Sequence, residues 1–282
     1  MSNIFKNLFK NIASKKNGPS EEMTLLDKIE HGFDNNEFKM YLQFIVDSRT
    51  RRLFCAEALS RWETESGEVI FPGDYIGLME SSGLIVRFDY YMFNLVCAKL
   101  SEWKGTALGE CTISCNFTRI TISERDFVSK IKEIADKYDF DREKLLIEIT
   151  EDSVERNIKV AMDNIRQIRA LGFSIALDDI GSGYTSLISL CEYPIDIVKI
   201  DREVLLLAES ERGRKLLCGI VTLAHSLGLR VICEGVETEE QNSLVVSSGC
   251  DYIQGWYYSR AMPECKCEQF ASDYNSNLIG NN

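Results

Sequence analysis

The sequence predicts an α/β protein built as a TIM-like (β/α)8 barrel, and three observations carry that prediction. From about residue 24 onward, short apolar runs rich in β-branched residues alternate with longer stretches of helical period. Eight such runs fall in a body of roughly 260 residues, the usual size of one such barrel. No Gly-x-Gly-x-x-Gly fingerprint follows any of them, which removes the main support for an open dinucleotide-binding sheet.

Taken in order, residues 1–23 form an N-terminal tail or linker rather than a barrel element. They carry Lys6, Lys10, Lys15 and Lys16 with no acid before Glu21, and break at Asn17-Gly18-Pro19-Ser20. Ile4, Phe5, Leu8, Phe9 and Ile12 share one helical face. That pattern reads as a short basic amphipathic helix in peripheral contact with an anionic membrane through residues 1–16, or as a linker or partner-docking helix. The barrel domain is expected over 24–275, with a short C-terminal tail at 276–282. Its candidate strands are 39–47, 53–61, 112–118, 145–150, 173–179, 195–200, 230–234 and 252–258. Helical patterns lie between most of them, at 88–103, 124–138, 154–171, 211–227 and 239–248.

A net charge of −12 argues against a nucleic-acid duplex as partner, because phosphate neutralisation needs clustered Lys and Arg. A small anionic ligand stays open if metals or a few placed cations offset it. No apolar run reaches the 18 residues of a spanning helix, and no secretory leader is visible, so the chain is expected in the cytoplasm, with membrane association only through its tail. The ten cysteines sit mostly in apolar runs such as Leu53-Phe54-Cys55 and Val231-Ile232-Cys233, and read as buried free thiols. Cys111 with Cys115, and Cys265 with Cys267, lack zinc-site spacing.

Each strand ends in, or just before, a polar residue: Gln43, Glu57, Asn116, Glu148, Asp178 with Asp179, Lys199, Glu234 and Gln254. In a β/α barrel the carboxyl ends of the strands share one rim, so these residues are expected to converge. Acids inside apolar strands, such as Glu148 in Leu145-Leu146-Ile147-Glu148-Ile149, cost desolvation energy unless a cation compensates. Carboxylates and an asparagine without histidine form a hard oxygen-donor set that prefers Mg²⁺, Mn²⁺ or Ca²⁺ to zinc. His31 and His225 lie in helical segments away from the set. The adjacent Asp178 and Asp179 suggest two metals, the arrangement that stabilises in-line displacement at phosphorus. Lys199 can orient or deprotonate a water if burial lowers its pKa, and Arg61, four residues after Glu57, can fork onto a phosphate.

With these residues in place, the chain resembles the EAL-domain family of cyclic di-GMP phosphodiesterases from about residue 25 to 270. The matching segments are Leu42-Gln43-Phe44-Ile45-Val46-Asp47, Ala56-Glu57-Ala58-Leu59-Ser60-Arg61-Trp62, Ser114-Cys115-Asn116-Phe117-Thr118 and Ile147-Glu148-Ile149-Thr150-Glu151. They continue through Ala176-Leu177-Asp178-Asp179-Ile180-Gly181-Ser182-Gly183-Tyr184, Val198-Lys199-Ile200-Asp201, Cys233-Glu234-Gly235-Val236-Glu237-Thr238 and Ile253-Gln254-Gly255. The resemblance implies a barrel of the EAL type in which Glu57, Asn116, Glu148, Asp178, Asp179 and Glu234 bind two divalent cations, Mg²⁺ or Mn²⁺, with Ca²⁺ as an inhibitor. It implies that Lys199 assists the water nucleophile and that Gln43, Leu59, Arg61 and Gln254 hold the substrate. Glu151 would tether the loop 180–187, which couples metal occupancy to a homodimer formed through the barrel. The implied reaction hydrolyses cyclic di-GMP to linear pGpG.

Phe44, Ile180, Thr118 and Cys233 depart from the family pattern, where proline, phenylalanine, serine and alanine are usual; none removes a ligand, and Phe44 and Ile180 bear on nucleotide fit and loop order. Two other readings follow from the same residues. One is a catalytically silent cyclic di-GMP receptor, whose mark would be a missing ligand. The other is an enolase-like carbon-acid enzyme, which would need a capping domain before the barrel.

Overall fold

The computed structural model describes residues 23–150, 158–181 and 189–280. The chain divides into two compact units, Met1–Asn36 and Glu37–Asn282. In the first, the helix Leu25–Asp34 begins at a capping box: the Thr24 hydroxyl accepts from Asp27 N, and the Asp27 carboxylate accepts from Thr24 N at 2.8 Å. The tail residues 1–22, expected to be basic and amphipathic, lie outside the described residues.

The second unit holds the barrel. Among the described residues its strands are β1 Phe38–Asp47, β2 Leu53–Glu63, β3 Val69–Ile70, β4 Thr112–Phe117, β5 Leu145–Thr150, β6 Ser174–Ile180, β7 Ile197–Ile200, β8 Arg230–Cys233, β9 Tyr252–Gln254 and β10 Met262–Pro263. All eight expected strands are present. They pair in the order β1, β9, β8, β7, β6, β5, β4, β2, and the β1–β2 pairing closes the ring, while β3 and β10 are two-residue additions. The helices Ile85–Trp103, Phe127–Ala135, Ile158–Ala170, Glu211–Ser226 and Glu239–Ser248 fall within the expected segments or overlap them, and the last helix, Cys267–Gly280, runs on into the segment read as a tail.

One feature differs from a uniform (β/α)8 ring. β2 and β4 to β9 are parallel, whereas β1 runs antiparallel to both its neighbours, β2 and β9. The reason is local. Only residues 48–52 separate β1 from β2, too few for a crossover helix, and Asp47 Oδ1 closes the turn by accepting from Arg49 N, Thr50 N and the Thr50 hydroxyl. The rule that every strand points its carboxyl end at one rim therefore fails for β1, whose Gln43 reaches the site from mid-strand, directly opposite Glu57.

The two-residue period of the strands stacks the interior in layers. Ile45, Cys55, Leu146, Ala176, Ile197, Ile232 and Tyr252 form one buried apolar cluster. Each lies two positions from Gln43, Glu57, Glu148, Asp178, Lys199, Glu234 and Gln254 respectively, and so on the same face of its strand. The apolar layer closes the barrel floor beneath a polar layer. Alternate residues point outward: Phe44, neighbour of Gln43, is fully buried and stacks on Phe270 of the last helix with centroids 5.1 Å apart and planes 14° apart. Phe44 thus packs the barrel wall against a helix, on the opposite face from the site.

Removing that ring leaves a cavity under the last helix. Phe44→Ala should destabilise the protein by about 3–5 kcal/mol, read as a lowered urea midpoint; a loss below about 1 kcal/mol would mean the Phe44–Phe270 stack does not anchor the helix.

Candidate active site

Lys199, third from last of the interior polar residues in chain order, stands in the middle of the site. Its side chain is 1% exposed. The ammonium Nζ lies 2.6 Å from Glu234 Oε1, 2.9 Å from Glu148 Oε2, 3.1 Å from Asp178 Oδ2 and 3.8 Å from Glu57 Oε1. Strand alternation alone supplies this convergence, since β2, β5, β6, β7 and β8 each present one of these five groups to the interior, or, for Glu234, just past the strand end. Glu57 is held from both sides: Asn116 Nδ2 donates to its Oε1 at 3.0 Å and Gln254 Nε2 to its Oε2 at 2.5 Å.

The electrostatics follow from burial against pairing. Burial alone would lower the Lys199 pKa, but Asp178, Glu148, Glu234 and Glu57 together push it well above its usual value. The condition set for a Lys199 base, a pKa lowered by burial, is not met among these acids, whose charges outweigh burial. Burial pushes Glu148 well up despite Lys199, and raises Glu234 to about 8. At Glu57 burial also pushes upward, but Lys199 and the amides of Gln254 and Asn116 outweigh it and leave the carboxyl below its usual value.

Asp178 and Asp179 would point to opposite faces of a regular strand. A bulge prevents this: the four residues of β6 from Leu177 to Ile180 span the three of β7 from Val198 to Ile200. Asp179 takes up the extra length with φ 62° and donates its N–H to Asp178 Oδ1 at 2.8 Å. Although Asp179 as a residue is exposed, burial, Asp178 and Asp201 raise its carboxyl to about 6. The bulge therefore brings two consecutive carboxylates to the rim.

Of the other expected site residues, Gln43 donates to Ser259 O at 3.0 Å, while Leu59 and Arg61 continue the Glu57 face of β2 beyond the acids. Gln254 depends on Gly255, where a Cβ would sit 2.0 Å from Val236 O; the missing side chain lets the β9 end lie against the β8 loop. Glu151 and residues 182–187 of its proposed loop lie outside the described residues.

Asp89 is a residue that the polar-rim pattern missed. It is 4% exposed, and its Oδ2 accepts from Thr118 N at 3.0 Å, the Thr118 hydroxyl at 2.8 Å and the Thr121 hydroxyl at 2.6 Å. It thus ties down the loop that follows Asn116, and both line a cavity of about 490 Å³ with Leu59, Ser60 and Arg119. The legible signal was an acid in the apolar stripe of its helix, beside Ile85, Phe88 and Met92.

The donor set fits hard divalent cations. It is all oxygen, it opposes one ammonium to five carboxylates, and Glu148 Oε1 and Gln254 Oε1 are buried with no hydrogen-bond partner among the described residues. No group of three acidic, histidine or cysteine side chains among the described residues is arranged so that it could hold an ion as it stands. The acids face the Lys199 ammonium between them.

Comparison with known proteins bears on the whole domain. The EAL domain family model matches residues 26–261. The signaling protein YkoW of Bacillus subtilis is 30% identical over 252 residues, covering 89% of this chain and 31% of that protein. The cyclic di-GMP phosphodiesterase RocR of Pseudomonas aeruginosa is 29% identical over 245 residues, covering 86% of this chain and 62% of that protein. Among solved structures, PaMucR phosphodiesterase in its c-di-GMP complex superposes with a TM-score of 0.81 at 27% identity, covering 87% of this chain and 100% of that one. The chain thus spans about a third of the length of relatives such as YkoW.

Removing the central cation tests these electrostatics. Glu234, raised in the folded state, contributes stability that is complete below its unfolded pKa and is lost as pH rises through about 8. Lys199→Met should deepen that loss, costing about 3–5 kcal/mol near pH 8 and distinctly less near pH 5, where the acids hold protons. Urea unfolding at both pH values checks this, and an equal cost at both would contradict it.

Proposed function

The chain belongs to the EAL domain family, and we propose that it is a metal-dependent phosphodiesterase that hydrolyses cyclic di-GMP to linear pGpG. The observation that supports this reading most is the Lys199 ammonium within 3.8 Å of four interior carboxylates, flanked by Asn116 and Gln254 on Glu57. No member of that set is missing, which disfavours the silent-receptor alternative. The relatives named as cyclic di-GMP phosphodiesterases, and the c-di-GMP complex of a similar domain, supply the substrate.

In this reading Glu57, Asn116, Glu148, Asp178, Asp179 and Glu234 hold two divalent cations, Mg²⁺ or Mn²⁺. Bound there, the cations supply Lewis acidity to the phosphoryl oxygens and acidify the attacking water. Ca²⁺ takes more ligands at longer distances, so at the same residues it would inhibit. Lys199 keeps its proton on Nζ and orients the water by hydrogen bonding. Arg61 forks onto a phosphate, and Gln43, Leu59 and Gln254 hold the dinucleotide across the rim. Glu151 tethers the loop after Ile180, through which a homodimer of the barrel would regulate the site. The tail, residues 1–16, is the proposed membrane contact of a protein otherwise in the cytoplasm. No helix among the described residues is long and apolar enough to cross a membrane.

Wild-type protein with Mn²⁺ or Mg²⁺ should convert cyclic di-GMP to pGpG, and Glu57→Ala and Lys199→Ala should each lower the rate by about 10²–10³ or more. A wild type that binds the dinucleotide but forms no pGpG would replace the hydrolase with the receptor. The metal site itself has a separate readout. Because Glu148 and Glu234 must lose protons to ligate, Mn²⁺ should raise the melting temperature more near pH 8 than near pH 6; a larger shift near pH 6 would count against these ligands.

A further inference from the structure

Beyond Glu57 and Leu59, β2 continues as an arm paired to β1 and β3, with Arg61 opposite Lys39 and Trp62 opposite Ile70. Arg61 is close enough to Glu57 for that carboxylate to act on its charge. No carboxylate among the described residues pairs with it, and the hydrogen bond it makes is from Nη1 to Ser60 O at 2.7 Å. A guanidinium carries five donors, so most of this fork is uncommitted.

Two rings hold the group instead. The Arg61 guanidinium carbon lies 4.8 Å from the Phe71 centroid and 5.5 Å from that of Tyr41. Tyr41 is fixed in turn, its hydroxyl donating to Glu63 Oε1 at 2.7 Å. Phe71 follows β3 directly, precedes Pro72, and is 56% exposed. Burial does not account for it, and the group it touches is a cation on the substrate-facing arm.

We propose that Phe71 is a positioning residue for substrate: with Tyr41 it holds the Arg61 guanidinium so that its free donors meet a phosphate of the cyclic dinucleotide. This inference rests on the functional reading above. A flexible arginine loses rotamer freedom when it clamps an anion, and a ring already stacked on it removes part of that cost before substrate arrives. Phe71 therefore acts through Arg61 and on binding, while the acids below act on the chemical step.

The experiment is a double-mutant cycle on cyclic di-GMP. Kd is measured with Ca²⁺ and kcat with Mn²⁺ for wild type, Phe71→Ala, Phe71→Trp, Arg61→Ala and the double variant Phe71→Ala with Arg61→Ala. Phe71→Ala should raise Kd roughly threefold to thirtyfold with kcat within about twofold of wild type, and Phe71→Trp should restore Kd. In the Arg61→Ala background, Phe71→Ala should change nothing further. An unchanged Kd in Phe71→Ala overturns the inference, and so does an equal loss in both backgrounds, which would mean direct stacking on a base. Both results leave the phosphodiesterase reading standing if wild type turns over. A wild type that neither binds nor hydrolyses the dinucleotide overturns that reading and this inference with it.

Discussion

A single buried ammonium holds the interior of this barrel together. Glu148 is wholly buried and Lys199 nearly so, and neither charge would survive there alone. Their pairing, shared with Asp178, Glu234 and Glu57, is nevertheless incomplete, because one positive charge faces several negative ones. Burial and mutual repulsion leave Glu148 and Glu234 far above the ordinary carboxylate range, while Glu57, with two amides on it, goes the other way. A cluster that could relax this imbalance by taking up protons can relax it equally by taking up divalent cations. In the proposed reading, the surplus of negative charge that would cost stability as pH rises is also what would attract a divalent cation.

The fold makes this cluster affordable by separating it from the core in depth. The layer below, from Ile45 to Tyr252, is apolar, so the polar layer needs no partners from beneath and points only toward the rim. Two local irregularities then adapt a regular barrel to the chemistry. The short β1–β2 turn reverses β1 and sets Gln43 opposite Glu57, and the β6 bulge turns two consecutive aspartates to one side. Both irregularities lie where the chain departs from simple alternation, and both sit at the site.

The strands and their polar ends were legible in the sequence because both rest on local patterns: β-branched runs for the strands, and an isolated acid, amide or lysine in each apolar run for the rim. The reversal of β1 is legible in the five residues between it and β2, which leave no room for a crossover, although its polar residue follows the same pattern as those of the parallel strands. The direction of the Lys199 shift was not legible, because it depends on how many carboxylates surround the ammonium, and only the folded barrel counts them. Asp89 escaped for the opposite reason. Its helix shows an acid on an apolar stripe, but its partners Thr118 and Thr121 are 29 and 32 residues away, on a loop whose role comes from its neighbour Asn116. The outward packing of Phe44 on Phe270 was hidden in the same way, since the sequence places it beside Gln43 without saying which face it takes.

In the proposed reading, chemistry and recognition occupy different parts of the molecule. The acids and Lys199 lie on strands packed on both sides, where a displacement of Lys199 would disturb four carboxylates at once. Arg61 on β2, Tyr41 on β1 and Phe71 just after β3 meet where β2 extends past the acids, and both rings contact the Arg61 guanidinium there. Exchange of the exposed Phe71 ring should therefore cost little stability, whereas exchanges among the buried acids and Lys199 should cost more. In the proposed reading, such a barrel can retune what it binds, and how tightly, while the acids and Lys199 stay as they are.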